Sequence, residues 1–594
     1  MTTNIREFLK TSTLLFDGAM GTYYAELAKH PLTLCEYANT EDPSTILQIH
    51  KNYIDAGAKA IKTNTFSLAS IALEEGIDTA ITLTNAAWDI ATQAAKEQDV
   101  FLFADFGPAP ASAIDTLICY KALVDAFLAK GAKHFIFETF LNDTTIRPLA
   151  SYIREKCPDA FLIASFAVLP DGFTTEGFFG KSLLEALLAE KLVDAGGFNC
   201  VSGPAHLLAR AKEMNTEQFP LSIMPNAGYP TVVSGRTIYQ SSPTYFAERL
   251  AEMAAAGVKI LGGCCGTDPN FIRESARLLS KTSPAIFAVD HANSADMQAE
   301  KGQNPKGENR FAEKLLASEK VIAVELDSPL DSNIANYMQA ASKLKAAGAD
   351  IITIADCPVA RSRMDSSIVA CKLKRELGIE ALPHLTCRDR NLNATRALLL
   401  GLSAEAVHNV LIITGDPIPT AERNEVKSVF NFHARMLIRY ISELNQSVFD
   451  TPFFIGGALN VNAVNFDAQL RMAEEKAQNG AGVLFTQPIM TKQAVLNLQR
   501  AKANLDIKIL GGIMPLVSHR NAQFIASEIQ GMAIDPETID RFAGKSKEES
   551  AQIGIDFSVE IAKEIQNDID GFYLVTPFMR TDVICKLMAE IEKL

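Results

Sequence analysis

One rhythm runs through this chain twice, and it constrains the fold more than any single residue does. Short β-rich apolar runs alternate with amphipathic stretches of helical period. In the first half the runs are Thr13–Phe16, Ala60–Thr63, Val100–Ala104, His134–Phe137, Phe161–Phe166, Gly197–Asn199, Leu221–Met224 and Val258–Leu261. In the second they are Val321–Leu326, Ile351–Ile354, Leu382–Thr386, Val410–Thr414, Phe453–Ala458, Val483–Thr486, Ile507–Leu510 and Phe572–Val575. Eight strand–helix units per half fit a (β/α)8 barrel. A doubly wound open sheet has the same periodicity. The polar residues separate the two architectures. Asp17, Asn64, Glu138, Asn199, Cys200, Asn226, Cys264 and Cys265 stand at strand ends in the first half, and Glu325, Asp356, His384, Asp416, Asn460 and Gln487 in the second. A barrel gathers all such ends at one rim, whereas an open sheet spreads them along an edge. The expected fold is α/β, two tandem (β/α)8 TIM barrels.

The two halves are separated by a stretch of different composition. Residues 286–310 are polar and lack periodicity from Asp290 onward, which reads as a linker between domains at 1–285 and 311–594. A chain of 594 residues exceeds what one core holds, so two domains are expected on length as well. Net charge is −14, which disfavours a nucleic-acid or anionic-membrane binder. The N-terminus shows no apolar h-region with a cleavage site, and no segment reaches the ~18 apolar residues of a membrane span. A cytoplasmic protein with small-molecule substrates is expected; the sequence leaves a homo-oligomer open.

Ten cysteines are present, and most read as small buried apolar residues of a reducing compartment. Three do not. Cys200 ends the sixth run, and the adjacent Cys264 and Cys265 end the eighth between glycines 262, 263 and 266. In a barrel these ends are near neighbours, and the glycines let the backbone turn tightly enough for two successive side chains to reach one ion. Three thiolates can hold Zn²⁺ and leave its fourth tetrahedral position open, the layout of a catalytic site. Such a site suits a thiol substrate, whose pKa the metal lowers.

Asp17-Gly-Ala-Met-Gly-Thr22, Thr63-Asn-Thr-Phe66, Phe137-Glu-Thr139, Phe198-Asn-Cys200 and Gly262-Gly-Cys-Cys-Gly-Thr267 together resemble the homocysteine S-methyltransferase family across nearly the whole first half. The resemblance implies zinc on Cys200, Cys264 and Cys265, with homocysteine sulfur as fourth ligand. It implies that Asp17 and Glu138 hold the amino-acid end of homocysteine, where a carboxylate can pair with an ammonium. Asn64 and Asn199 are expected to orient groups at the same site.

In the second half the signal is a series. Ala323-Val-Glu-Leu-Asp-Ser-Pro329, Pro383-His-Leu-Thr-Cys387, Thr414-Gly-Asp-Pro417, Phe485-Thr-Gln-Pro488 and Gly512-Ile-Met-Pro515 come in order at barrel spacing. The set is similar to methylenetetrahydrofolate reductase, a flavin-dependent barrel. The resemblance implies FAD, with NADH or NADPH as reductant. It implies Glu325 as general acid, Asp416 beside flavin and pterin, and Gln487 on the pterin edge. Thr353, His384, Gly415, Asp416, Ala458 and Lys476 are the implied FAD contacts. Two positions depart from the family. Ser518-His519-Arg520 stands where relatives carry a nicotinamide-stacking aromatic, and Gln469, with Asp467 nearby, falls where an acidic ribose ligand is expected.

The architecture resembles fused bacterial homocysteine methyltransferase/methylenetetrahydrofolate reductase proteins, whose two reactions are chemically consecutive. The fusion does not fix the methyl donor. A methyl on folate nitrogen is a poor electrophile, and no Asp-x-His-x-x-Gly cobalamin motif is present. A sulfonium donor, S-methylmethionine or S-adenosylmethionine, is the more reactive alternative. A homocysteine-sensing domain that regulates the reductase is the remaining alternative for the first half.

Overall fold

The computed structural model describes residues 4–28, 34–110, 113–228, 230–233, 236–239, 242–280, 308–416, 427–528 and 532–594. The chain divides into two compact units, 1–298 and 299–594. The division falls inside the expected 286–310 linker, whose residues 286–307 lie outside the described ones.

The first unit is an eight-stranded parallel barrel. Its strands are β1 (Leu14–Leu15), β2 (Ala60–Lys62), β3 (Phe101–Phe106), β4 (His134–Phe140), β5 (Phe161–Phe166), β6 (Ala195–Asn199), β7 (Leu221–Met224) and, after a hairpin of β8 (Pro230–Val233) and β9 (Arg236–Tyr239), β10 (Ile260–Leu261). The strand order is β1-β10-β7-β6-β5-β4-β3-β2. The ring closes between β1 and β2 through a parallel bridge from Phe16 to Ala60 and a 2.7 Å bond from Lys59 N–H to Leu15 carbonyl. Inward residues of alternate strands fill the barrel, among them Phe16, Phe103, Ile136, Ile163, Met224 and Ile260. The sequence contains no periodic signal for the hairpin, which is an insertion after β7.

The second unit is a closed barrel of β11 (Val321–Asp327), β12 (Ile351–Ala355), β13 (Glu380–Thr386), β14 (Asn409–Ile413), β15 (Phe454–Leu459), β16 (Val483–Pro488), β17 (Lys508–Ile513) and β18 (Gly571–Val575), in sequence order. Its interior is packed by residues such as Ala323, Leu382, Leu411, Phe485, Leu510 and Tyr573. All sixteen expected strands are present, with ends shifted by a few residues.

Both barrels begin with the same device. A seven-residue helix, Ile5–Thr11 in the first and Arg310–Leu316 in the second, precedes the first strand. Asn4 and Asn309 cap the two helices through their side chains. Ile5 and Leu9, and Phe311 and Leu315, join the apolar interior layer and plug the N-terminal mouth. The opposite, C-terminal mouth of each barrel is left for chemistry. Among the described residues no helix is long and apolar enough to cross a membrane.

Candidate functional sites

At the exit of β6 the chain turns through two left-handed residues, Cys200 (φ 57°) and Val201 (φ 54°). The turn is held by Cys200 N–H on the Met224 carbonyl, 3.1 Å. At the exit of β10, Cys264 N–H bonds the Pro225 carbonyl and Ala227 N–H bonds the Cys265 carbonyl. Gly263 is required there, because a Cβ would lie 2.3 Å from Thr267 Oγ1. That hydroxyl itself donates to the Cys264 carbonyl, 2.7 Å. The result is a triad: the Sγ atoms of Cys200, Cys264 and Cys265 all lie within 4.8 Å of one another, Cys200 and Cys265 at 3.7 Å. Zinc–thiolate bonds of ~2.3 Å at tetrahedral angles require S···S near ~3.8 Å, so the three thiols fit that ion. Asn199, fully buried, stands beside one of the three thiols. It accepts from Thr139 N–H and Ser165 Oγ, both 2.9 Å, and its amide lies 3.9 Å from Cys264 Sγ.

The thiols line a cavity of about 430 Å³ with Asp17, Lys62, Asn64, Asp105 and Glu138. Asp17 follows β1; its Oδ2 accepts from Lys62 backbone N–H at 2.9 Å, and its Oδ1 is buried without a partner. Burial pushes Asp17 up to about 7, against the pull of Lys62. Glu138 forms a 2.7 Å ion pair with Lys62, both side chains less than a tenth exposed. Burial alone would lower Lys62, but Glu138, Asp17 and Asp105 outweigh it and keep the amine protonated. Asp105, also buried with an unpartnered Oδ1, is pushed well up by burial and by Glu138. Lys62 and Asp105 are additions to the residues that sequence reading singles out. The available signal was a charged residue inside the second apolar run, Lys62, and one just past the end of the third, Asp105. Asn64 lines the cavity but spends its amide on Cys35 carbonyl (2.8 Å) and Asn39 Oδ1 (2.9 Å), shaping the loop beside it.

In the second barrel Glu325 extends from β11 and is largely buried. Its Oε2 accepts a hydrogen bond from Tyr573 Oη and stands 3.6 Å from His384 Nε2. No lysine or arginine pairs with it among the described residues. Burial raises Glu325 to about 7; Tyr573 opposes the rise and Asp327 adds to it. Burial lowers His384 to about 4, so its imidazole is neutral. Sequence reading misses Tyr573, since its partnership with Glu325 depends on strand register.

The implied flavin residues lie on or just after β12 to β15, with Lys476 on the helix Phe466–Gln478 that follows. His384 Nε2, on β13, is buried without a hydrogen-bond partner, which suits a polar atom awaiting a ligand, while the buried Thr353 hydroxyl on β12 faces the Tyr573 phenol. Gly415 follows β14 with φ 92°, and a Cβ there would press on Thr386 and Arg388 at 3.2–3.3 Å. Asp416 is exposed, its carbonyl bound by Arg388 Nη1 at 2.7 Å. The structure brings Lys476 and Ala458 together: Lys476 Nζ donates to the Ala458 carbonyl. Burial, with Arg435 nearby, lowers Lys476 to about 8. Gln487 sits half-buried at the end of β16.

Comparison with known proteins follows the same division. The homocysteine S-methyltransferase family model matches residues 14–279, and the methylenetetrahydrofolate reductase family model matches 310–590. Methionine synthase of Mycobacterium tuberculosis is 31% identical over 46% of this chain and 25% of its own length. That of Mycobacterium leprae is 29% identical over 47% and 25%. The chain thus spans about a quarter of the curated relatives it matches. The metallated crystal structure of the Escherichia coli homocysteine methyltransferase MmuM is 22% identical, covering 46% of this chain and all of its own, at a TM-score of 0.40. The chain joins a domain of the homocysteine S-methyltransferase family to a domain of the methylenetetrahydrofolate reductase family.

Proposed function

We propose that the chain is bifunctional, methylating homocysteine to methionine in the first barrel and reducing 5,10-methylenetetrahydrofolate to 5-methyltetrahydrofolate in the second. The observation that carries the first reading is the thiol triad opening on a cavity lined by buried carboxylates. Cys200, Cys264 and Cys265 would hold Zn²⁺, which when bound lowers the pKa of a substrate thiol and keeps it nucleophilic. Asp17 offers its unpartnered Oδ1 to the substrate ammonium. Lys62 holds Glu138 in place and offsets part of the negative charge around it. Asn199 fixes Cys264 from behind. A sulfonium is the proposed methyl donor, because a neutral sulfide leaves far more readily than a folate amine.

The second reading rests on Glu325, a buried carboxyl with no cationic partner among the described residues at a barrel mouth. Opening methylenetetrahydrofolate to its iminium needs a proton on nitrogen. A carboxyl raised to about 7 holds that proton near neutrality. FAD, with Thr353, His384, Gly415, Asp416, Ala458 and Lys476 as contacts, would supply the hydride, with NADH or NADPH as source. Gln487 can both donate to and accept from the pterin edge. A cytoplasmic location completes the proposal.

Zinc X-ray absorption tests the first reading. The expected first shell is three sulfurs plus one light atom, becoming four sulfurs on addition of homocysteine. An unchanged shell would sink it. Anaerobic reoxidation of reduced flavin on adding methylenetetrahydrofolate tests the second. Flavin that stays reduced would sink that one.

A further inference from the structure

β11 and β18 are neighbours in the second barrel, with Ala323 paired to Tyr573. Residues two apart on a strand share a face, so Glu325 lies on the same inward face as Tyr573, one step nearer the C-terminal rim. The phenol therefore reaches the carboxyl from below and donates to its Oε2. The ring has little freedom. It packs edge-on against Phe485 of β16, centroids 5.1 Å apart, within the interior apolar layer. His384 Nε2 approaches the same Oε2 at 3.6 Å without a hydrogen bond. Both contacts shown for the Glu325 carboxyl thus fall on one of its two oxygens.

We propose that Tyr573 is the positioning residue of the reductase acid: its phenol anchors Glu325 through Oε2, so that Oε1 is the oxygen presented to the folate nitrogen. This rests on the reading of Glu325 as general acid. In the proton transfer the Oε1–H bond breaks and an N–H bond forms on the folate. The carboxylate left behind is already hydrogen-bonded at Oε2, and solvent returns the proton. A phenol donor stabilises the carboxylate more than the acid, so Tyr573 also limits the rise that burial imposes. The other groups facing this carboxyl act in known directions. Asp327 on the same strand disfavours ionisation and is itself paired with Arg363 at 3.5 Å. His384 from β13 is neutral. Tyr337, from the helix Ala335–Ala346, is a buried phenol held un-ionised by burial and by Asp327 and Glu325. Tyr573 is the hydrogen-bond donor among them.

The experiment is an isotope-edited infrared titration of the full chain carrying ¹³C-carboxyl glutamate, without folate. Glu325→Gln identifies the band. In Tyr573→Phe the Glu325 midpoint should move up by roughly 0.5–1 pH unit, the effect of losing one neutral donor. The falling alkaline limb of reductase kcat/KM should move up with it, and kcat on the acid plateau should drop about tenfold as the carboxyl loses its orientation. Site-specific 3-fluorotyrosine at 573, a more acidic donor in the same packing, should move the midpoint down; it keeps the test decisive if the Phe variant folds poorly. A midpoint unmoved by both replacements, or moved the other way, overturns the anchor. Failure of the wild-type chain to reduce methylenetetrahydrofolate would instead overturn the reductase reading, leaving the infrared midpoint to decide the anchor by itself.

Discussion

Replacing Cys265 by Ser leaves two thiols and a hydroxyl that is a far weaker zinc donor than thiolate. Cys265→Ser should lower bound zinc from one per chain to a small fraction of that, measured by metal analysis after dialysis, with flavin content unchanged. Glu325 is the other single-residue lever. The acid form donates the proton, so reductase kcat/KM should fall tenfold per pH unit above about 7. The same raised pKa means the folded state holds a proton that the unfolded chain releases above its ordinary value of 4.5. Stability is therefore lost as pH rises from about 4.5 to about 7 and stays reduced above. Glu325→Gln removes that loss: at pH 8 it should stabilise the second barrel, by at most ~3 kcal/mol in chemical denaturation, while abolishing folate reduction. Sequence reading reaches Cys200, Cys264, Cys265 and Glu325 because each is an out-of-place residue type at a strand end. It does not reach Lys62, Asp105 or Tyr573, whose partners are fixed by register between strands far apart in sequence.

At the scale of elements, the two ends of each barrel do different work. At the N-terminal ends, aspartates bind the backbone of a neighbouring strand and a cation at once. Asp194 accepts from Leu162 N–H and pairs with Arg154; Asp350 does so with Ile322 and Lys314, and Asp570 with Ile509 and Lys502, at 2.6–2.9 Å throughout. Asp570→Asn should cost about 1–2 kcal/mol of stability by denaturant melt and leave reductase kcat unchanged. The strands and their polar ends are legible in the sequence because period-2 apolar runs and charged strand exits are local signals. The β8–β9 hairpin is not, since its two four-residue strands pair antiparallel with each other and stand outside the eightfold strand–helix rhythm. The plugging helices Ile5–Thr11 and Arg310–Leu316 are too short for their period to stand out, and only the barrel mouth explains them.

At the scale of the whole molecule, two compact units imply two unfolding transitions, with the metal coupled to one. Removing zinc with a chelator should lower one calorimetric transition by several degrees and leave the other in place; a shift of both would contradict separate cores. The two barrels were legible from the doubled eightfold rhythm. The choice of methyl donor was not, because donor chemistry leaves no periodic mark. One measurement tests the bifunctional account most directly. The full chain, loaded with zinc and FAD, is given ¹⁵N-labelled homocysteine, NADH and NADPH, ¹³C-methylene-labelled methylenetetrahydrofolate and S-methylmethionine with both S-methyl groups trideuterated. The methionine analysed is the ¹⁵N-labelled one, because the demethylated donor is itself methionine. Mass spectrometry follows both labels. The account predicts ¹³C in 5-methyltetrahydrofolate and the trideuteriomethyl group in methionine. ¹³C in methionine would transfer the donor role to folate. Methionine with neither label, or methylenetetrahydrofolate left unreduced, would contradict the account.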